Sequence, residues 1–165
     1  MKRIISFFIA LLMFATMLSG CGLDVPRPEI EKGEFAFSVT YEFKGETQTI
    51  SGVYVCEFDG LDWTLDGGWQ REWKGYVKDS TTEEEILLEK TAEGHDVELN
   101  LYFDPSHFMD DSYNAEDEPF VPYMSVRVVS DEGMHFENDA DIIAETYGAR
   151  IIDYTYDPPI ENTFH

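Results

Sequence analysis

Glu34-Phe35-Ala36-Phe37-Ser38-Val39-Thr40-Tyr41-Glu42-Phe43 decides the fold class. Phe35, Phe37, Val39, Tyr41 and Phe43 alternate with smaller or polar residues. Successive side chains on a strand point to opposite faces, so this period of two describes a strand with one face in a core and the other in water. Lys44-Gly45 follows as a turn, and a second strand is expected from about Thr47 to Phe58. Asp59-Gly60 and Asp66-Gly67-Gly68 read as further turns that bracket a short segment, Leu61 to Leu65. Trp69 to Val77, Glu84 to Lys90, Asp96 to Phe103, Phe120 to Val129 and Ala149 to Tyr156 read as strands. In the Asp96 segment, Val97, Leu99, Leu101 and Phe103 face one way and Asp96, Glu98 and Asn100 the other. Asn138 to Tyr147 reads as a helix, with Asn138 as its cap, acids in its first turn and Gly148 closing it. The expected fold is mainly β: an antiparallel β-sandwich or partly open barrel of about seven strands with one short C-terminal helix.

Upstream of this domain, Lys2-Arg3 precedes an apolar run from Ile4 to Leu18, and Leu18-Ser19-Gly20-Cys21 closes it. A basic start, an apolar stretch and small residues before a cleavage point are the features of a signal peptide. The run is short for a membrane-spanning helix, which needs roughly 20 apolar residues, and no basic cluster follows it. Residues 1–21 resemble a bacterial lipoprotein signal peptide. The resemblance implies that Cys21 receives a diacylglyceryl group (palmitate or similar chains) and becomes the first residue after cleavage. Two acyl chains, at about 0.8 kcal/mol per buried CH₂, anchor stably where one would be marginal. The implied location is the extracytoplasmic face of the cell membrane. The resemblance ends at Cys21, and the domain beyond it is not identified with a family.

Three segments follow: residues 1–20 as signal peptide, 21–33 as lipidated cysteine and tether, and 34–165 as a single β-rich domain. Pro26 and Pro28 stiffen the tether and Asp24, Glu29 and Glu31 solvate it. Twelve residues reach at most about 40 Å, so the domain stays close to the bilayer.

Charge narrows the partners. The chain of 165 residues has 11 basic and 34 acidic residues; losing Lys2 and Arg3 leaves 9 against 34, a formal charge of −25. Such a domain repels nucleic acid and anionic head groups. Abundant Phe, Tyr and Val argue for a buried core despite the charge. Of two cysteines, Cys21 is used by the lipid, so Cys56 has no partner and reads as a buried structural thiol.

Two groups are candidates for a site. The acidic stretch from Asp104 to Pro119 offers Asp104, Asp110, Asp111, Asn114 and Glu116 as oxygen ligands for a possible Ca²⁺ ion. It is not an EF-hand, because Ala115 stands at the required glycine and Val121 at the closing glutamate. The plainer reading is a solvated acidic loop. Trp63, Trp69, Trp73 and Tyr76 form the second group, placed to stack on a glycan or hold an envelope protein if exposed, and to build core if buried. Trp69 and Trp73 share a face on any regular strand.

No Gly-x-Ser-x-Gly elbow, His-Glu-x-x-His pair, phosphate-binding glycine loop or paired-cysteine knuckle occurs. The expected function is a membrane-anchored lipoprotein with a non-catalytic ligand- or protein-binding β domain. The alternatives are a carboxylate-dependent envelope hydrolase and a structural accessory subunit of an envelope complex. Replacing the anchor residue tests the first step: Cys21→Ala should abolish fatty-acid incorporation, measured by metabolic labelling with a lipid analogue. An unlabelled wild-type protein would remove the argument for membrane location.

Overall fold

The computed structural model describes residues 25–65, 68–80, 86–92, 96–111, 120–130 and 133–165. Cys21, the signal segment, Asn114 and Glu116 lie outside these residues. No helix among the described residues is long and apolar enough to cross a membrane.

The described chain is an antiparallel β-sandwich. β1 (Lys32–Phe43), β2 (Glu46–Thr64), β3 (Gly68–Val77) and β8 (Ala149–Tyr156) form one sheet in the order β3-β2-β1-β8. β4 (Ile86–Ala92), β5 (Asp96–Tyr102), β6 (Tyr123–Ser130) and β7 (Gly133–Glu137) form the other in simple sequence order. Helix α1 (Pro105–Phe108) follows β5, and α2 (Ala140–Tyr147) precedes β8.

The alternation of β1 does what its sequence dictates. Phe35, Phe37, Val39 and Tyr41 are buried, and the opposite face carries the polar residues. Lys44 and Gly45 make the two-residue hairpin loop with φ of 50° and 83°, the left-handed pair that matches strand twist. Phe35, Phe37, Tyr54 and Cys56 from the first sheet meet Ile86, Leu101 and Phe103 from the second. Phe108 of α1 plugs one end of this core, with its ring 4.8 Å from Phe35 and 5.6 Å from Tyr54. A second cluster joins Tyr41, Leu99, Met124 and Val126 to Ile143 of α2 and Ala149 of β8. Cys56 is free and fully buried, and burial pushes its thiol pKa up, as suits a packing residue.

Several local expectations change. Asp59-Gly60 is a bulge, not a turn: β2 runs straight through it, the register with β3 shifts between Phe58 and Gly60, and Gly60 takes φ of 123°. β2 is therefore one 19-residue strand that includes the Leu61 segment. β7 and α1 were not anticipated. Asp139, not Asn138, caps α2 by accepting from the N–H groups of Asp141 and Ile142, while Gly148 closes it at φ of 64° as expected.

Part of the stretch expected as a tether is paired with the C-terminal segment. Arg27 and His165 exchange both backbone hydrogen bonds, at 2.8 and 2.9 Å, and Glu29 N–H donates to the Thr163 carbonyl at 2.8 Å. Asn162 binds both backbone groups of Ile30 through its side chain. Residues 27–30 are thus paired with the C-terminal segment, and His165 is held, not loose. A soluble fragment beginning at Glu34 loses these bonds, each worth about 1 kcal/mol net. It should melt cooperatively but clearly below a fragment beginning at Gly22, both being mainly β by circular dichroism under reducing conditions. Equal melting temperatures would show that the pairing contributes no stability.

Candidate functional site

The β2–β3 hairpin carries all four aromatic candidates, and its register separates them. Trp63 pairs with Trp69, Leu61 with Arg71, Phe58 with Trp73 and Val55 with Tyr76. Directly opposed residues share a face, and successive residues alternate faces. Trp63, Trp69, Arg71 and Trp73 therefore lie on the core-side face, and Tyr76 lies on the outer face. There Tyr76 accepts a hydrogen bond from Lys32 Nζ and donates to Glu57 Oε2 at 3.2 Å. Tyr76 is removed from the group by strand parity.

Trp73 is removed by burial and bonding. Its ring meets Phe58 edge-on at 5.5 Å, and its Nε1–H donates to Asp111 Oδ2 at 2.6 Å. The same carboxylate receives Arg71 Nε at 2.8 Å and also Arg71 Nη2. The side chains of Arg71 and Asp111 are only 19% and 7% exposed. Arg71 Nη1 donates to the Pro26 carbonyl at 3.1 Å, and its guanidinium carbon stands 4.0 Å from the centre of the Phe164 ring. Arg71 carried no signal in the sequence, because its partner is forty positions away.

Of the proposed oxygen ligands, Asp111 is bound to a cation of the chain itself and to an indole. Asp104 caps α1 by accepting from the N–H and hydroxyl of Ser106 at 2.9 and 2.7 Å. Asp110 is exposed at φ of 54°. Among the described residues no group of three or more His, Cys, Asp or Glu is placed to hold a metal ion. His107 is packed against Phe108, Phe120 and Tyr156, and burial lowers its pKa against the opposing charges of Asp104 and Asp110.

Trp63 and Trp69 remain. They are 51% and 43% exposed, and Leu65 in the adjoining turn is 87% exposed. The outward face of this hairpin end carries Asp62, Gln70 and Glu72, so the extension is amphipathic.

A second surface was not anticipated. On the outer face of the second sheet, Leu87, Asn100 and Ser125 make one cross-strand row and Tyr102 and Tyr123 another. Glu98, Arg127 and Phe136 make a third, and Val129 with Met134 a fourth. Leu87, Tyr123, Val129, Met134 and Phe136 are exposed. Tyr102 and Tyr123 stack at 5.3 Å with their planes 9° apart. Glu98 is buried against Arg127, whose Nε donates to it at 2.7 Å. Asn100 is 2% exposed, and its Nδ2 has no hydrogen-bond partner among the described residues. The outer face of the first sheet is the opposite in character. It is a polar ladder of Ser38–Ser51, Thr40–Thr49, Glu34–Lys78 and Glu42–Arg150 contacts. The parity of Asn100 and Glu98 was readable in the sequence; the apolar character of their face was not, because β7 supplies much of it.

These features define an antiparallel β-sandwich with one polar outer face, one outer face that exposes apolar side chains, and an aromatic hairpin end. No known protein family, curated protein or solved structure matches the chain.

Removing one member of a mostly buried ion pair leaves the other charge uncompensated, at a cost of about 3–5 kcal/mol. Arg71→Ala and Asp111→Ala should each lower unfolding stability on that scale in urea titrations. The Arg71→Met, Asp111→Leu double variant should lose less than the sum of the two, because it buries no lone charge. Strict additivity would show that the two side chains act independently.

Proposed function

We propose that this protein is a lipid-anchored lipoprotein of the cell envelope whose sandwich docks another envelope protein and performs no catalysis. The lipoprotein part rests on the Leu18-Ser19-Gly20-Cys21 sequence and the apolar run before it. The docking part rests on one observation, the outer face of the second sheet. An antiparallel sheet with one face on the core normally solvates its other face, as the first sheet does. Here five exposed apolar side chains gather on that other face, with a tyrosine stack beside them. Exposed apolar side chains gathered on one face mark a partner surface, and tyrosine is enriched where binding energy concentrates.

A partner that fits is a protein with a matching apolar patch and a neutral or basic rim, because the chain carries a formal charge of −23 as written.

Photo-cross-linking in living cells tests this reading. A photoreactive residue at Phe136 or Met134 should give one discrete protein adduct. The same residue at Thr40, on the polar ladder, should give none. Adducts of equal yield from both faces, or no adduct from either, would refute docking by the second sheet. Incorporation into glycan instead of protein would replace the partner class.

A further inference from the structure

The clasp on Arg71 fixes where the chain leaves the domain, and that exit lies at the aromatic hairpin end. β1 and β2 are antiparallel, so tracing β1 backward follows β2 forward. Lys32 is level with Glu57, and the Glu31 carbonyl accepts from Phe58 N–H at 2.8 Å. Arg27 lies over the Phe58 ring, 5.3 Å from its centre. The Pro26 carbonyl is then bound by Arg71, which pairs with Leu61. The segment before β1 therefore leaves at the end of the sheet from which the β2–β3 hairpin extends. Trp69 is two residues beyond Arg71 on the same face, about 7 Å further along the strand. Trp63 stands opposite it, and Leu65 is in the turn beyond.

Cys21 precedes Pro26 by five residues, which span at most about 18 Å when fully extended. A lipid on Cys21 therefore holds this end of the sandwich, and no other, against the bilayer. We propose that Trp63, Trp69 and Leu65 form an apolar foot that seats in the interface of a zwitterionic or neutral lipid surface. This inference rests on the lipid-anchor reading of Cys21. Tryptophan favours the head-group level, where its ring is apolar on one side and wet on the other. The acidic surroundings, Asp62 and Glu72 among them, exclude an anionic surface and leave the opposite face of the hairpin in water.

The experiment uses the full-length acylated protein in phosphatidylcholine vesicles, with and without brominated acyl chains. Flotation with the vesicles, absent for an unacylated fragment beginning at Gly22, tests the anchor. Bromine quenching of tryptophan fluorescence tests the foot. Wild-type emission should be strongly quenched. The Trp63→Phe, Trp69→Phe variant, which keeps only Trp73, should float equally and lose most of that quenching. Circular dichroism checks that this conservative variant folds. Flotation without quenching, or the same fractional quenching in both proteins, overturns the foot and leaves the anchor standing. No flotation of the wild type overturns both. A blue shift caused by soluble wall glycan and not by vesicles would make the tryptophan pair a sugar site and overturn the proposal.

Discussion

Arg71 is the point on which the arrangement of this molecule depends. Four separated stretches of chain meet at its guanidinium: Pro26 before β1, its own strand β3, Asp111 after α1, and Phe164 near the C-terminus. A planar group with five donors can meet these demands together. One edge takes the carboxylate in a fork, the remaining nitrogen takes a carbonyl, and the flat face is left for an aromatic ring. A lysine offers a point charge and no flat face, so it could not replace those contacts. In a chain with 11 basic residues against 34 acidic ones, placing a cation in this half-buried position also offsets local acid repulsion. The consequence is mechanical. The segment before β1 and the C-terminal segment are tied to the same end of the first sheet, with Pro28 bridged to Phe164 beside the guanidinium.

Local chemistry accounts for the parts of the fold that were legible. β1 declares itself through Phe35, Phe37, Val39 and Tyr41; the Lys44-Gly45 loop and the Gly148 stop declare themselves through left-handed backbone. Asp59-Gly60 misled for a physical reason. A glycine at positive φ serves a turn and a bulge equally well, and what separates them is whether a neighbouring strand continues alongside. β3 does continue, which only the tertiary structure reveals. β7 was illegible for a related reason: Met134 and Phe136 point to the apolar outer face, while His135 takes the other side, so its pattern inverts that of an ordinary half-buried strand. The candidate site was half legible. Strand parity correctly grouped Trp69 with Trp73, but an interaction with Asp111 across 38 positions set their environments apart.

The two outer faces differ in what holds them. On the first sheet, hydroxyl pairs and exposed ion pairs run across the strands, and each exposed pair is worth little on its own. That face is at home in water. On the second sheet the polar groups are sunk and the apolar ones stand proud: Asn100, Ser125 and Glu98 are buried between longer neighbours such as Tyr123 and Phe136. A lone domain in water gains nothing from that inversion. It exposes apolar area, at roughly 25 cal/mol per Å², a cost that reverses on contact with a dry, complementary surface.

Membrane seating and lateral docking also constrain one another. The normal to a sheet is perpendicular to its strands, and stacked sheets nearly share that normal. On the proposed seating, with the β2–β3 hairpin end toward the bilayer, both outer faces look sideways, along the membrane plane. The apolar face of the second sheet is then presented to proteins standing on the same membrane, not to molecules arriving from the medium. Confinement of both partners to one surface raises their effective concentration, so a modest patch suffices where a soluble pair would need a larger one. On the proposed anchor, the five-residue span from Cys21 to Pro26 limits how far the domain can move from the bilayer, to about 18 Å.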